Sequence, residues 1–291
     1  MEKFVDKLRM MDGWRELLAA CALGALGALA FPPFYIFPLL LISYAALVML
    51  FDVSAKHARP LHRAALIGWS YGFGFFLVGM HWIGYPFLVN AEAHAWLMPF
   101  AIFMLPAGLA LFFALAGAVC ARFWRPGPQS IFLFATSFAL AEWLRGHIFT
   151  GFPWNIPGYG WGASTALLQS ASVFGIYGIS FLTLLLGGSL ALLLSSKRDR
   201  WLPLGMIGFF VLIWINGTVR LAYANDDNVP NVQLRIVQPA TLQSEKYRPE
   251  FRTRNWERLT ELSTAPAQIA PTHIIWPEAA PPFPLAQEEG A

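Results

Sequence analysis

Long apolar runs, broken by short segments of Pro, Lys and Arg, fill the first 222 residues of the chain. Seven of these runs come close to the roughly 20 apolar residues that a membrane-crossing helix needs. They cover 14–31, 34–51, 64–84, 95–121, 130–149, 164–194 and 201–221, and they predict seven spanning helices. The breaks are Phe31-Pro32-Pro33, Asp52 to Arg63, Arg125-Pro126-Gly127-Pro128 and Lys197-Arg198-Asp199-Arg200. Small residues inside the runs (Gly24 and Ala28, Gly72 and Gly74, Gly187 and Gly188) read as positions where helices pack closely.

From residue 223 the pattern changes. Val232–Gln238 partly alternates and ends at Pro239, as a β-strand does. Residues 249–262 read as an amphipathic helix with Phe251, Trp256, Leu259 and Leu262 on its apolar side. Thr272–Trp276 is a second strand, leading into Pro277-Glu278. Strand, helix, strand opens an α/β layered domain, and Glu278 falls just past a strand's C-terminal end, where the active sites of such sheets sit. Two strands and one helix are too little to bury a core, so the tail reads as the first part of a larger domain. The predicted organisation is a helical bundle over 1–222 and a polar tail over 223–291.

Composition supports a membrane protein: 57% of the residues are hydrophobic and 13% charged, against roughly 45–50% and 25% in soluble domains. Disorder and a disulfide scaffold are excluded, since the two cysteines, Cys21 and Cys120, both lie in apolar runs. Charge is concentrated in the tail, with 15 charged residues in its 69 positions and 22 in the 222 before it. With the N-terminus cytoplasmic, the inside segments carry twelve basic residues, namely Lys3, Lys7, Arg9, Arg15, Lys56, Arg59, Arg63, Arg122, Arg125, Lys197, Arg198 and Arg200. The outside segments before the tail carry Arg145 and Arg220. This asymmetry sets the orientation and, with an odd number of spans, puts the tail outside. It also accounts for the net charge of +3 without a nucleic-acid partner. Leu18-Ala19-Ala20-Cys21 imitates a lipoprotein cleavage box, but most of the apolar run follows Cys21, so the segment reads as an uncleaved span.

Two groups of motifs carry a family resemblance. One is Glu142-Trp143-Leu144-Arg145-Gly146, continuing through Thr150-Gly151-Phe152-Pro153-Trp154 to Gly158-Tyr159. The other pairs Val237-Gln238-Pro239 with Ile274-Ile275-Trp276-Pro277-Glu278-Ala279-Ala280. Phe31-Pro32-Pro33-Phe34 and Gly79-Met80-His81-Trp82-Ile83 add to them. Over essentially its whole length the chain resembles the apolipoprotein N-acyltransferases, bacterial inner-membrane enzymes that complete lipoprotein maturation. The resemblance implies a polytopic α-helical membrane protein followed by the N-terminal part of a periplasmic nitrilase-like domain. It implies a ping-pong reaction in which a thiolate takes an acyl chain from a phospholipid such as phosphatidylethanolamine. The acyl group then passes to the α-amine of a diacylglyceryl-cysteine at a lipoprotein's N-terminus. No cofactor or metal is implied.

That chemistry needs a Cys nucleophile, a carboxylate and a Lys for the oxyanion. Glu278 matches the family's carboxylate. No Lys or Cys follows it, and Cys21 and Cys120 lie in spans, so the chain is expected to be a truncated member that does not turn over alone. Tyr247 stands near where the family usually has Trp, and Thr241-Leu242 replaces the more usual Ile-Pro.

Other positions keep two readings. Glu142 and Arg145, three apart, share a helix face; they either anchor the helix as an ion pair or offer Arg145 to a lipid phosphate. The loop Phe152-Pro153-Trp154-Asn155 forms either a lip admitting acyl chains or part of an interfacial aromatic belt. His81 and His94 lack a partner at metal-ligand spacing. The competing functional class is a non-catalytic or transport-type membrane protein in which Glu142, Arg145 and His81 line a pathway; a strand ending in Trp276-Pro277-Glu278 argues against it.

Overall fold

A computed structural model of the protein describes residues 13–195, 197–225, 228–246 and 248–283. Lys3, Lys7, Arg9 and Tyr247, singled out above, lie outside the described residues. The chain divides into two compact units, Met1–Gly84 with Leu97–Ala224 and Tyr85–Trp96 with Asn225–Ala291.

The first unit is helical. Its long helices are α1 (Gly13–Ala28), α2 (Pro38–Ser54), α3 (Pro60–Gly79), α4 (Met98–Phe123), α5 (Pro128–His147), α6 (Ala171–Ser189) and α7 (Trp201–Ala222). Four of them, α2 to α5, begin with proline in the first turn. There the missing N–H costs nothing and the fixed φ suits the helix. Among the described residues three helices are long and apolar enough to cross a membrane: Ala91–Phe123, Ala171–Leu194 and Arg198–Ala222. A fourth arises if α3 and the 3-10 turn His81–Leu88, bent by 45° to it, count as one span. Of the remaining stretches expected to span, α1 and α2 have 16 and 17 residues, and α5 carries Glu142 and Arg145.

The run 164–194, expected as one span, is broken. A short helix Thr165–Leu168 precedes α6, and inside α6 Gly175 takes φ 63°, a left-handed conformation that interrupts the helical ladder.

The core is aromatic. Tyr44, Tyr71, Phe51, Phe75, Phe113, Phe134 and Phe138 are all buried, and their rings meet at centroid distances such as 4.7 Å for Phe134–Phe138 and 5.2 Å for Phe113–Phe138. Ser43 and Tyr71 share a hydrogen bond of 2.8 Å between α2 and α3. Close backbone approach is specified by glycine: a Cβ on Gly24 of α1 would overlap the Tyr71 carbonyl, and one on Gly74 of α3 would overlap the Cys21 carbonyl. These reciprocal contacts are why both positions are glycine, as the spacing predicts.

The second unit holds β1 (Leu234–Ile236), α8 (Arg252–Thr264) and β2 (His273–Ile275). β1 and β2 pair in parallel, with Leu234 opposite His273 and Ile236 opposite Ile275. Parallel neighbours need a crossover connection, which α8 supplies. The ladder is shorter than the alternating pattern suggests. The buried stripe of α8 also differs from expectation: Asn255, Leu259 and Ser263 are buried, while Leu262 is exposed. The reason is polar. Ser263 accepts the Trp276 indole N–H at 2.9 Å on its hydroxyl, and its carbonyl accepts from Arg235 at 2.6 Å. The helix is thereby rotated so that this small residue faces the strands.

Candidate functional site

The chain presents one candidate site in each unit. In the second unit, β1 and β2 end side by side and their following segments diverge, leaving a cleft of about 230 Å³. It is lined from one side by Gln238, Pro239 and Ala240, and from the other by Pro277, Glu278 and Ala279. Lys246 and Asn255 close it. The parallel pairing thus brings the two distant motifs Val237-Gln238-Pro239 and Pro277-Glu278-Ala279-Ala280 onto one cleft at the strands' carboxyl ends. Glu278 is exposed there. Its backbone carbonyl accepts from Lys246 Nζ at 3.3 Å, so the lysine tethers the loop through the main chain. Nothing in the sequence pattern singled out Lys246 or Asn255; only the fold shows that they border the cleft.

In the first unit the site grows from the end of α5. Glu142 and Arg145 form a buried ion pair, each 1% exposed. Arg145 also donates to the carbonyls of Phe152 and, at 2.9 Å, Trp154, and its guanidinium lies 4.9 Å from the Phe76 ring centre. Phe152 N–H returns a bond to the Arg145 carbonyl at 2.8 Å. Arg145 is therefore the pin that holds the 152–154 loop against the helix. Of the two readings kept for Arg145, this burial favours the ion pair over contact with a lipid phosphate, since its donors go to Glu142 and the loop carbonyls.

The pinned loop splits its three named residues. Phe152 packs against the helical core, whereas Pro153 and Trp154 are exposed and line a second cavity, of about 740 Å³. Phe31, Pro32, Pro33 and Phe34, together with Val78, Gly79, His81 and Trp82, form its other walls. Trp82 and Trp154 meet edge to face at 5.3 Å, and Asn155 Nδ2 donates to the Gly79 carbonyl at 3.3 Å. Three motifs far apart in sequence converge on this one apolar cavity. Sequence reasoning missed Trp82 as part of a site, although it lay within a motif it quoted, and placed His81 only on the pathway of the competing transport reading.

Backbone strain marks the same two places. Of the seven non-glycine residues with positive φ among the described residues, Ala240 and Ala279 line the cleft, and Tyr35 and Asn155 line the apolar cavity. Phe149 and Thr150 stand on the loop leading to it. Thr150, at φ 90°, is β-branched, for which this region is costly. Such residues persist where surrounding structure holds them, and they cluster at functional sites.

Taken together, apolar helices and a carboxylate on an α/β cleft define a membrane-type protein with an enzyme-like appendage. Comparison with known proteins makes this specific. Residues 23–189 match the family described as "Apolipoprotein N-acyltransferase N-terminal domain". The chain belongs to the apolipoprotein N-acyltransferase family. It is similar to proteins named apolipoprotein N-acyltransferase from Rhodopseudomonas palustris, 40% identical over 96% of this chain and 54% of the relative, and from Brucella melitensis, 39% identical over 97% and 55%. Another, from Allorhizobium ampelinum, is 38% identical over 100% of this chain and 56% of its own length. The chain thus spans about half the length of the curated relatives it matches.

Proposed function

We propose that this chain is the membrane-embedded part, and the beginning of the catalytic domain, of an apolipoprotein N-acyltransferase. The domain boundary falls at 222/223. The helical part crosses the bacterial inner membrane seven times with the N-terminus cytoplasmic, and residues 223–291 begin a periplasmic nitrilase-like domain. The apolar faces of its strands support this: Ile236, Ile274 and Ile275 are exposed, as they are in a sheet that further layers cover.

The observation that carries the reading is Glu278 at the carboxyl end of a parallel strand pair, in a cleft bordered by Lys246 and Asn255. As general base, Glu278 takes the proton of a thiol, whose sulfur attacks the ester carbonyl of a phosphatidylethanolamine-like donor. The tetrahedral oxyanion collapses to a thioester, and Glu278 returns the proton to the departing lysophospholipid alkoxide. In the second half, the α-amine of a diacylglyceryl-cysteine attacks the thioester, Glu278 accepts the amine's proton, and the thiolate leaves. Neither Cys21 nor Cys120 lines the cleft, so neither is assigned the nucleophile. The relatives are nearly twice as long, and the thiol and the oxyanion lysine are assigned to their unmatched part. The apolar cavity beside Pro153 and Trp154 suits the donor's acyl chain, with Arg145 positioning the loop rather than touching lipid.

The test is N-acylation of a diacylglyceryl peptide, followed by mass, with the intact enzyme that contains this chain. Glu278→Gln is expected to reduce turnover by at least about 10²-fold, while Cys21→Ser with Cys120→Ser leaves it unchanged. Full activity in Glu278→Gln overturns the assignment.

A further inference from the structure

The end of α5 opposite Arg145 carries a second feature that the acyl-transfer reading does not use. Between α4 and α5 lies a cavity of about 600 Å³ lined by Arg122, Phe123, Trp124, Arg125, Gln129 and Leu133. Its two guanidinium groups are exposed and pair with no carboxylate among the described residues. The carboxylate of Asp52 accepts the Trp124 indole N–H at 2.9 Å, which fixes that ring as a wall. Arg122 lies over the Phe123 ring at 5.3 Å. α5 starts at Pro128, so the positive end of its dipole borders the same space. With 20 residues in α5, this cavity and the Arg145 end are separated by about 30 Å. It is therefore distinct from the apolar cavity at Trp154.

We propose that this cavity binds the phosphodiester headgroup of an anionic phospholipid. Guanidinium groups bind phosphate oxygens in a fork geometry that a single ammonium does not match. Phe123 and Leu133 supply apolar walls for the glycerol and the first methylenes of the acyl chains. A small free anion would satisfy the arginines but leave those walls and most of the volume unused. Basic pockets of this kind between membrane helices hold lipid headgroups. The shared recognition element, a phosphate ester oxygen, also exists on soluble phosphates, and the experiment separates the two sources.

The full chain in detergent is titrated with phosphatidylglycerol and, separately, with inorganic phosphate, and retained lipid is read by native mass spectrometry. Arg122→Gln with Arg125→Gln is expected to weaken phosphatidylglycerol retention on the order of 10- to 30-fold. The paired control Lys56→Gln with Arg59→Gln, on the neighbouring α2–α3 connection, is expected to change nothing. Arg122→Lys with Arg125→Lys keeps the charge and loses the fork, so an intermediate loss is expected; its thermal unfolding beside that of the Gln pair separates loss of site from loss of fold. Undiminished retention in the Gln pair overturns the proposal, as does an equal loss in the Lys56 and Arg59 control, which would make the effect a property of basic surface in general. Displacement of the lipid by millimolar inorganic phosphate would overturn the lipid assignment and give the site to a soluble anion.

Discussion

Arg145 shows how far a single residue's role depends on its surroundings. Spaced three from Glu142 on a helix, it could anchor the helix as an ion pair or meet a lipid phosphate, and its burial against Glu142 and the loop favours the ion pair. Removing one member of such a pair leaves the other charge buried without its partner, which costs about 3–5 kcal/mol. Arg145→Gln is therefore expected to lower thermal stability in detergent by that order, and to loosen the 152–154 loop that Arg145 holds through two carbonyls. Replacing both members with apolar residues, as in Glu142→Leu with Arg145→Met, is expected to cost less than either single change. A thermal shift within error of wild type for Arg145→Gln would show that the pin carries no stability.

Among the elements, the α1–α3 contact is the most demanding. Gly24 and Gly74 each face a backbone carbonyl of the other helix, so any side chain there must push two helices apart. Overpacking of this kind costs about 1–3 kcal/mol even where helices can shift. Gly74→Val is expected to destabilise the protein by at least this much, while Gly205→Ala, where a Cβ meets open space on α7, is expected to be neutral or slightly stabilising. Thermal unfolding of the two variants side by side makes the comparison. In the tail, α8 turns on Ser263 rather than on an apolar stripe. Its register is set by two hydrogen bonds to the strands, and a hydrophobic pattern alone does not display them.

At the scale of the whole molecule, the charge distribution carries the proposed topology. Twelve basic residues on one side of the expected spans and two on the other are the basis of the proposed orientation, with the N-terminus cytoplasmic. Protease added to intact spheroplasts is accordingly expected to cut the tail near residues 225–231 and to spare the Lys197–Arg200 connection, with the pattern reversed in inside-out vesicles. Cleavage of Lys197–Arg200 from the periplasmic side would overturn the proposed orientation and with it the periplasmic placement proposed for Glu278.

Much of this was legible in the sequence for a physical reason: membrane helices and strands are short-range features. Apolar run length, prolines at helix starts and the strand–helix–strand order all depend on neighbours a few residues apart, and so does the placing of Glu278 after a strand. The close-packing glycines were legible too, since small residues in apolar runs have few other uses. The break at Gly175 was not, because a left-handed glycine and a packing glycine look alike in a sequence. Nor was the burial of Arg145, the rotation of α8 toward Ser263, or the meeting of Phe31–Phe34, Gly79–Trp82 and Pro153–Trp154 around one cavity. Those depend on contacts between residues dozens of positions apart, and only the packed tertiary structure decides which of the available partners each side chain takes.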